Sequence, residues 1–268
     1  MLQRFSHIIL AVLSIVSIFS SVERSASQAP TEIVVVGTVH SATEKYSVQD
    51  LVRILQRIKP DVILFEYPAD MMTPEFEFKS VLKNSLEQQA VIEYVKRSGA
   101  KIRPSDIDGR KAFYERTNYF ALQRQYNQEL SAQIDKKGLG AEARKIFDSL
   151  DAADAGRDAI GQSDPLTINS FQADAAINAK QWLMNRGIPE IVRLTPGLKS
   201  GEAFWNASRA YWIRRNNEMV RNIKRLAAEF VGKRLVVLCG FEHRYYLRSH
   251  LYDWDEQPGY VVKEYWEY

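Results

Sequence analysis

Two short motifs of the form Gly-x-x-His supply the imidazoles best placed for chemistry in this sequence. The first motif ends at His40 and the second at His243. Each follows a run of β-branched and aliphatic residues, Ile33 to Val36 and Leu235 to Leu238, which predicts a buried strand that opens into a glycine turn. Because the carboxyl ends of parallel strands converge on one crevice, we expect the two histidines to face a common site.

A carboxylate, Glu66, stands at the end of a third apolar run, Val62 to Phe65. We expect this strand to lie next to the first one, so that Glu66 reaches the same crevice as His40. Burial of an unpaired carboxylate is costly, so Glu66 should be paired, bound to a metal or shifted upward in pKa. The alternative is a strand end that simply reaches the surface.

Two further positions carry groups of interest. Asp106 and Asp108 follow a short strand near residues 101–103 and could add an acid to the same edge, although capping of the next helix is the favoured interpretation. Arg215 lies on a helix, where it is either a solvated charge or a clamp for a carboxylate or a developing oxyanion. Cys239, the single cysteine, lies in an apolar run and is expected to be a buried hydrophobe rather than a nucleophile.

Two histidines with a glutamate form a reasonable donor set for a divalent cation. Imidazole suits zinc, iron or copper, and carboxylates suit manganese or magnesium. Such a metal would generate a hydroxide nucleophile and polarise a carbonyl. The sequence has no compact metal motif such as His-Glu-x-x-His, no Gly-x-Ser-x-Gly elbow and no glycine-rich phosphate loop. The metal prediction therefore depends on the convergence of His40, Glu66 and His243.

The elements that must position these residues alternate between strand and helix. Strands are predicted over 33–37, 61–66, 101–103 and 234–239, with a terminal strand over 260–266, and helical spacing over 48–58 and 81–95 separates the first three. From about residue 110 to 230 the pattern is helical and more polar. We therefore predict an α/β fold with a mostly parallel central sheet flanked by helices. The helical insertion either covers the crevice or only packs against a sheet face.

The chain as a whole suggests an exported protein. It has 268 residues, 46% of them hydrophobic, which supports a substantial core. Arg4, an apolar run from Ile8 to Phe19 and small residues before a cut after Ser27 predict a secretory signal over residues 1–27 and a single domain over 28–268. The apolar run is too short to span a bilayer, so no stable transmembrane anchor is expected after cleavage. The location would be periplasmic or secreted.

The charge balance argues against a nucleic-acid partner. The chain has 36 basic and 33 acidic side chains, a formal net charge of +3, and they are spread along the sequence. A nucleic-acid surface would need basic residues clustered on one face. We therefore expect no nucleic-acid partner.

Taken in order, these motifs resemble the TraB and TIKI families, part of a wider group that includes erythromycin-esterase-like and ChaN-like proteins. The resemblance is carried by Gly37-Thr38-Val39-His40, by Pro60-Asp61-Val62-Ile63-Leu64-Phe65-Glu66, by Arg215-Asn216-x-x-Met219 and by Gly240-x-x-His243. It covers both ends of the mature chain and little of residues 110–200. Tyr67-Pro68 replaces the apolar residue and acid of many relatives, and Gly240-Phe241-Glu242-His243 replaces the commoner Gly-Ala-Gly-His.

The resemblance implies an α/β fold whose paired motifs and strand-end glutamate build one site. TIKI members are described as metal-dependent proteases, and TraB members are linked to shutdown of peptide pheromone activity. By position, the resemblance makes His40, Glu66 and His243 the functional core, with Arg215 and Asn216 in support.

We therefore expect an exported hydrolase, in first place a metal-dependent peptidase acting on a peptide or another carbonyl substrate. His40, Glu66 and His243 would bind a divalent cation, with manganese, cobalt or zinc as candidates, or activate water. Arg215 would complete the catalytic set.

Asn216, Arg244 and Tyr67 are expected to contact substrate. Two alternatives stay open. One is a non-catalytic binder of haem or metal on the same fold, with Tyr67, Tyr245 and Tyr246 as haem ligands. The other is a metal-free esterase that uses a histidine and glutamate pair.

Overall fold

The computed structural model describes residues 29–252 and 259–268, so the predicted signal sequence lies outside the described residues. Five parallel strands form one sheet in the order β3-β2-β4-β1-β5. The strands are β1 Thr31–Thr38, β2 Val62–Phe65, β3 Lys101–Pro104, β4 Arg234–Gly240 and β5 Tyr260–Lys263. The predicted α/β fold with a parallel sheet is confirmed.

The position of β4 corrects one expectation about this sheet. We expected β2 to lie beside β1, but β4 lies between them: Leu238 is in register with Val36 of β1 on one side and with Phe65 of β2 on the other. The predicted terminal strand is also shorter and ends at Lys263. Because all strands are parallel, the carboxyl ends of β3, β2, β4 and β1 form one continuous edge.

Ten α-helices are described, and their bounds follow. They are α1 Val48–Ile58, α2 Leu86–Ser98, α3 Arg110–Arg116, α4 Tyr119–Asp135, α5 Ala141–Gly161, α6 Pro165–Ile168, α7 Phe171–Trp182, α8 Ile188–Leu194, α9 Glu202–Glu229 and α10 Phe241–Leu251. A π-helical turn, Leu183–Gly187, joins α7 to α8. Helices α3 to α9 form the predicted insertion. Helix α2 begins later than predicted, since Val81 and Leu82 lie before it and are 52% and 56% exposed.

The sheet separates two hydrophobic cores. Alternate residues of β1 point to opposite faces: Val34 and Val36 pack with α1 and α2, whereas Ile33 and Val35 pack with α9 and α10. All four are at most 1% exposed, and each buried side chain of this kind contributes roughly 1.5–3 kcal/mol to folding. Cys239 lies in the second core and is buried, as expected. The strands are therefore packed on both faces up to their carboxyl ends.

The insertion has a third core of its own. Helices α5, α8 and α9 bury Leu150, Ile191 and Trp205 against one another, away from the sheet. A packed unit of this kind can form a fixed wall beside the sheet edge rather than a loose loop. Among the helices described, none is both long and apolar enough to cross a membrane.

Candidate active site

A cavity of about 1160 Å³ opens at the carboxyl edge of the sheet. We call it the crevice. His40 follows β1, Glu66 follows β2 and His243 lies in the first turn of α10 after β4, and all three line it together with Arg215 from α9. A smaller cavity of about 380 Å³ shares His40, Glu66 and Arg215 with it. The structure therefore brings together residues from four separate parts of the sequence.

The insertion forms one wall of the crevice. Arg157 and Gly161 of α5 and Trp212 of α9 line it opposite the strand ends. The insertion therefore does more than pack against a sheet face, since it lines the crevice. Glu242 of α10 fastens this wall, since its carboxylate accepts from Arg157 at 2.8 Å, Gln181 at 2.7 Å and Lys180 at 3.0 Å.

Arg215 lies at the centre of the polar groups beneath the crevice. Its guanidinium donates from Nε and Nη2 to Asp106, both at 2.8 Å, and Nη2 also donates to Glu66 Oε1. Nη1 lies 3.0 Å from His243 Nε2. The side chain is only 10% exposed, so these acceptors offset its desolvation. A guanidinium has five N–H groups, and these contacts use four. One Nη1 hydrogen has no partner among the described residues.

Glu66 is held in the ionised form by its neighbours. Its Oε2 accepts from the Gly240 N–H at 2.6 Å, and its Oε1 lies 3.6 Å from His243 Nε2. Burial raises the pKa of Glu66, but the guanidinium of Arg215 and the Gly240 N–H outweigh burial and hold that pKa below its ordinary value. Of the outcomes expected from sequence, pairing is therefore the one observed, and the pKa moves down rather than up.

His243 is a buried, neutral histidine. Its Nδ1 lies 2.7 Å from Asn216 Oδ1, and the Asn216 amide is oriented because its Nδ2 donates to the Trp212 carbonyl. An amide oxygen only accepts, so Nδ1 carries the proton and Nε2 accepts from Arg215. Burial lowers the pKa of His243 to about 4 against the opposing effect of Glu66, and Arg215 acts in the same direction as burial. The Trp212 ring stacks on the imidazole, with centroids 4.4 Å apart.

His40 differs from His243 in being open to the crevice. Its side chain is 81% exposed, and its Nδ1 donates to Glu87 Oε1 at 3.2 Å. Glu87 is itself buried in the first turn of α2, and its Oε1 also accepts from the Thr38 hydroxyl at 2.8 Å. The hydrogen bond to Glu87 raises the pKa of His40, and the charges of Glu87 and Glu66 act in the same direction, against the opposing charge of Arg215.

His40 Nε2 and Glu66 Oε2 both lie close to Gly240. A Cβ built on Gly240 would lie 3.6 Å from His40 Nε2 and 3.6 Å from Glu66 Oε2. The imidazole and the carboxylate therefore flank one small volume beside Gly240. The absence of a side chain at this glycine keeps that volume open.

Two acids important to the site were missed or misjudged from the sequence. No sequence pattern marks Glu87 as a site residue, because the first turn of its helix is polar. Only the tertiary fold brings this turn next to His40. Asp106 does not cap a helix. Its side chain is fully buried and accepts from both Arg215 and Arg110, the latter at 2.5 Å. Asp108 caps the short turn that begins at Ala69, by accepting from the Ala69 N–H at 2.8 Å.

Three predicted substrate contacts have different places in the structure. Arg244 is fully buried against Asp174 and Glu264 on the sheet side of α10 and lines neither the crevice nor the smaller cavity. One helical residue rotates the side chain by about 100°, which turns Arg244 away from the crevice that His243 faces. Asn216 is also fully buried and contacts His243 instead. Tyr67 lines the smaller cavity.

The donor set does not fit the predicted divalent cation. His243 Nε2 and Glu66 Oε1 both already accept from Arg215, and His40 Nδ1 is turned to Glu87. No group of three or more His, Cys, Asp or Glu side chains in the described ranges is arranged to hold a metal. A guanidinium occupies the centre where the three predicted ligands would have to converge. Metal binding stays a prediction that this geometry does not support.

The three tyrosines proposed as haem ligands do not share a site. Tyr67 lines the smaller cavity, whereas Tyr245 and Tyr246 line a separate cavity beside α7.

No protein-family model matches this chain, and neither a curated protein nor a solved structure matches it. The resemblance to TraB and TIKI proteins therefore stays a prediction from the motifs, and the function must be argued from the site.

Proposed function

We propose that this protein is a hydrolase of ester-type carbonyl substrates in which His40 activates water without a divalent metal. The observation that carries the proposal is the pairing of an exposed imidazole with a buried carboxylate, His40 with Glu87, at the edge of a crevice. This is the histidine and glutamate alternative from the sequence, with Glu87 rather than Glu66 as the orienting acid. Export, signal cleavage and the identity of the substrate stay predictions.

His40 has the geometry of a general base. Because a carboxylate can only accept, the Glu87 contact places the ring proton on Nδ1 and leaves the Nε2 lone pair directed at the crevice. A carboxylate behind the imidazole fixes the tautomer and stabilises the imidazolium that forms when Nε2 takes a proton. The hydrogen bond to Glu87 raises the pKa of His40, which makes Nε2 a stronger base.

The surrounding charges support this proton transfer. The negative charges of Glu87 and Glu66 favour the protonated form of His40, and the positive charge of Arg215 opposes them. The two carboxylates therefore stabilise the imidazolium that forms when Nε2 takes a proton. Glu66 is ionised and borders the open volume next to Gly240 together with His40 Nε2, so it provides an acceptor that can orient a water molecule there.

The unused N–H of Arg215 and the start of α10 supply donors for the developing oxyanion. Helix α10 has no side-chain cap at Gly240, and its first N–H groups lack intrahelical acceptors. Phe241 and Glu242 bring this end to the crevice wall. Donors fixed in advance at such a position stabilise negative charge in the transition state more than in the ground state. His243 and Asn216 act as positioning residues, because they hold Arg215.

The reaction then balances as follows. His40 Nε2 takes one proton from water as the water oxygen bonds to the carbonyl carbon, and the carbonyl oxygen becomes an oxyanion facing Arg215. The oxyanion re-forms the carbonyl as the ester C–O bond breaks. The leaving oxygen takes the proton from His40 Nε2, which regenerates the neutral base and releases an acid and an alcohol.

The test is hydrolysis of a panel of short aryl and alkyl esters by protein that has been treated with a chelator and dialysed. We expect turnover to survive this treatment, and His40→Ala to lower kcat/KM by roughly 10²- to 10⁴-fold, the usual contribution of a general base. His250→Ala is the matched control, since His250 is exposed on α10 and lies outside the crevice. Its kcat/KM should be unchanged.

Three results would count against the proposal. Turnover that is lost on chelation and restored by zinc, manganese or cobalt would favour the metal-dependent peptidase. Equal effects of His40→Ala and His250→Ala would show that surface imidazoles hydrolyse the esters non-specifically. Absence of hydrolysis across the panel would leave the crevice without the proposed activity. Melting temperatures of both variants are needed to show that each is folded.

A further inference from the structure

A cavity of about 480 Å³ lies between α7, the π-helical turn, α9 and α10, and the proposed reaction does not use it. We call it the side cavity. We propose that it is a second ligand site and that it binds an organic anion with an aromatic body. The inference stands on the aromatic rings and the charges that line the side cavity, and it does not depend on the hydrolase proposal.

Aromatic side chains provide the apolar surface of the side cavity. Trp182 ends α7 and is 56% exposed, an unusual degree of exposure for the largest side chain. Trp212, Tyr245 and Tyr246 line the same space. Such rings offer flat faces on which a planar ligand can stack, and each stacked pair contributes roughly 0.5–1.5 kcal/mol beyond the area it buries.

Two arginines give the side cavity an uncompensated positive charge. Arg186 is exposed and Arg209 is half-buried, and neither forms an ion pair with any residue in the described ranges. The Arg186 guanidinium lies 5.7 Å from the centroid of the Trp182 ring. A guanidinium fork matches the geometry of a carboxylate or a phosphate. An anionic head beside an aromatic ring is therefore the ligand chemistry that these side chains fit.

The acid in the side cavity does not cancel this charge. Asp174 is the one carboxylate among the described residues that line it. It already accepts from Arg244 at 2.5 Å and from Arg248 at 2.8 Å, and its side chain is 12% exposed. Arg186 and Arg209 therefore line the side cavity without a carboxylate of their own, and an anion bound there would be attracted by both charges.

The side cavity also adjoins the crevice through one residue. Trp212 lines both spaces and stacks on His243. A ligand that contacts Trp212 from the side cavity would therefore change the environment of an indole that packs against the candidate active site. Quenching or a shift of tryptophan fluorescence is the direct readout of such binding.

The experiment is titration of the purified protein with 2-naphthoate, 2-naphthyl phosphate and the neutral 2-naphthamide, followed by calorimetry and tryptophan fluorescence. We expect at least one of the two anions to bind about tenfold or more tightly than the amide, because each guanidinium contact to an anion is charge-assisted. The preferred anion distinguishes a carboxylate head from a phosphate head. Binding should weaken as salt is added.

Variants locate the site. Arg186→Gln with Arg209→Gln should weaken binding of the preferred anion by about tenfold or more, the size of one lost charge-assisted contact. Trp182→Ala should weaken both the anion and the amide. Arg193→Gln is the matched control, because Arg193 is an exposed arginine of α8 outside the side cavity. It should leave affinity unchanged.

Four results would overturn the inference. They are equal affinity for the anions and the amide, no effect of the double arginine variant on a folded protein, no binding of either anion at millimolar concentration, and loss of binding in Lys45→Gln instead. Lys45 lines the crevice and not the side cavity, so the last result would place the anion in the crevice.

Discussion

Arg215 is the residue whose removal tests the structural reasoning most directly. Arg215→Met keeps the length and the helix propensity of the side chain but removes every donor. Glu66 and Asp106, whose side chains are 11% and 0% exposed, then lose the guanidinium that pairs with both. Asp106 keeps Arg110 and Glu66 keeps the Gly240 N–H, so the loss is large but incomplete.

The expected magnitude follows from burial. Removing one partner of a buried ion pair destabilises a protein by about 3–5 kcal/mol, because a charge remains buried without compensation. For a domain of this size, that corresponds to a fall in melting temperature of roughly 6–20 °C. The control is Arg214→Met, one position earlier on α9. Arg214 is exposed over the Tyr211 ring and should cost about 1 kcal/mol or less.

Urea unfolding followed by circular dichroism at pH 7 gives both free energies of unfolding. A second substitution sharpens the test: Glu66→Gln removes one of the stranded charges, so the double variant should be more stable than the sum of the single effects predicts, by about 0.5–3 kcal/mol. Two results would refute this reasoning. One is a similar loss in the free energy of unfolding for Arg215→Met and Arg214→Met, and the other is a double variant at Glu66 and Arg215 whose loss equals the sum of the two single losses.

Three further predictions use other contacts. Glu87→Gln should move the acidic limb of the pH–kcat/KM profile to lower pH, because the hydrogen bond that raises the pKa of His40 is weakened; an unmoved limb would separate Glu87 from the base. His243 should contribute stability that is complete above pH 6.5 and lost as the pH falls toward about 4, because its pKa is lower in the folded state than in the unfolded state; unfolding midpoints that stay constant over this range would contradict its burial as a neutral group. Gly37→Ala should destabilise the protein by about 1–3 kcal/mol, because the new Cβ would lie 3.1 Å from the backbone of α10. Gly156→Ala should instead stabilise the protein by about 0.5–1 kcal/mol, because Gly156 lies within a helix and its Cβ would meet open space. Calorimetric melts of the two variants compare these effects.

The strands and the meeting of their ends were predictable from the sequence. An apolar run such as Leu235 to Leu238 must be buried on both faces of its strand, and a parallel sheet covered by helices on both sides provides this burial. Parallel strands in turn bring residues that follow them, including His40 and Glu66, to one edge. The order of the strands was not predictable, since no local pattern states that β4 inserts between β1 and β2. That order depends on how the insertion returns the chain.

The chemistry of the site was less accessible from the sequence. A histidine, a glutamate and a second histidine on one edge suggest metal ligands, and only the path of α9 shows that Arg215 enters between them. Glu87 lies in a helix whose first turn shows no unusual pattern, so its contact with His40 emerges only from the fold. Arg244 lies away from the crevice although it directly follows the second motif, because adjacency in sequence does not fix which side of a helix a residue occupies.

The central place of β4 has a consequence for how the chain assembles. Both neighbours of β4 in the sheet, β1 and β2, precede it by a long stretch of chain. Glu32 of β1 pairs with Arg234 of β4, for example, although the two residues lie 202 positions apart in the sequence. Until β4 emerges, β1 and β2 each present an open edge with unpaired backbone groups. Pairings of such long sequence separation are slow, and open edges invite association between chains. We therefore expect a slow final step in refolding that closes the sheet, and yields that fall as protein concentration rises.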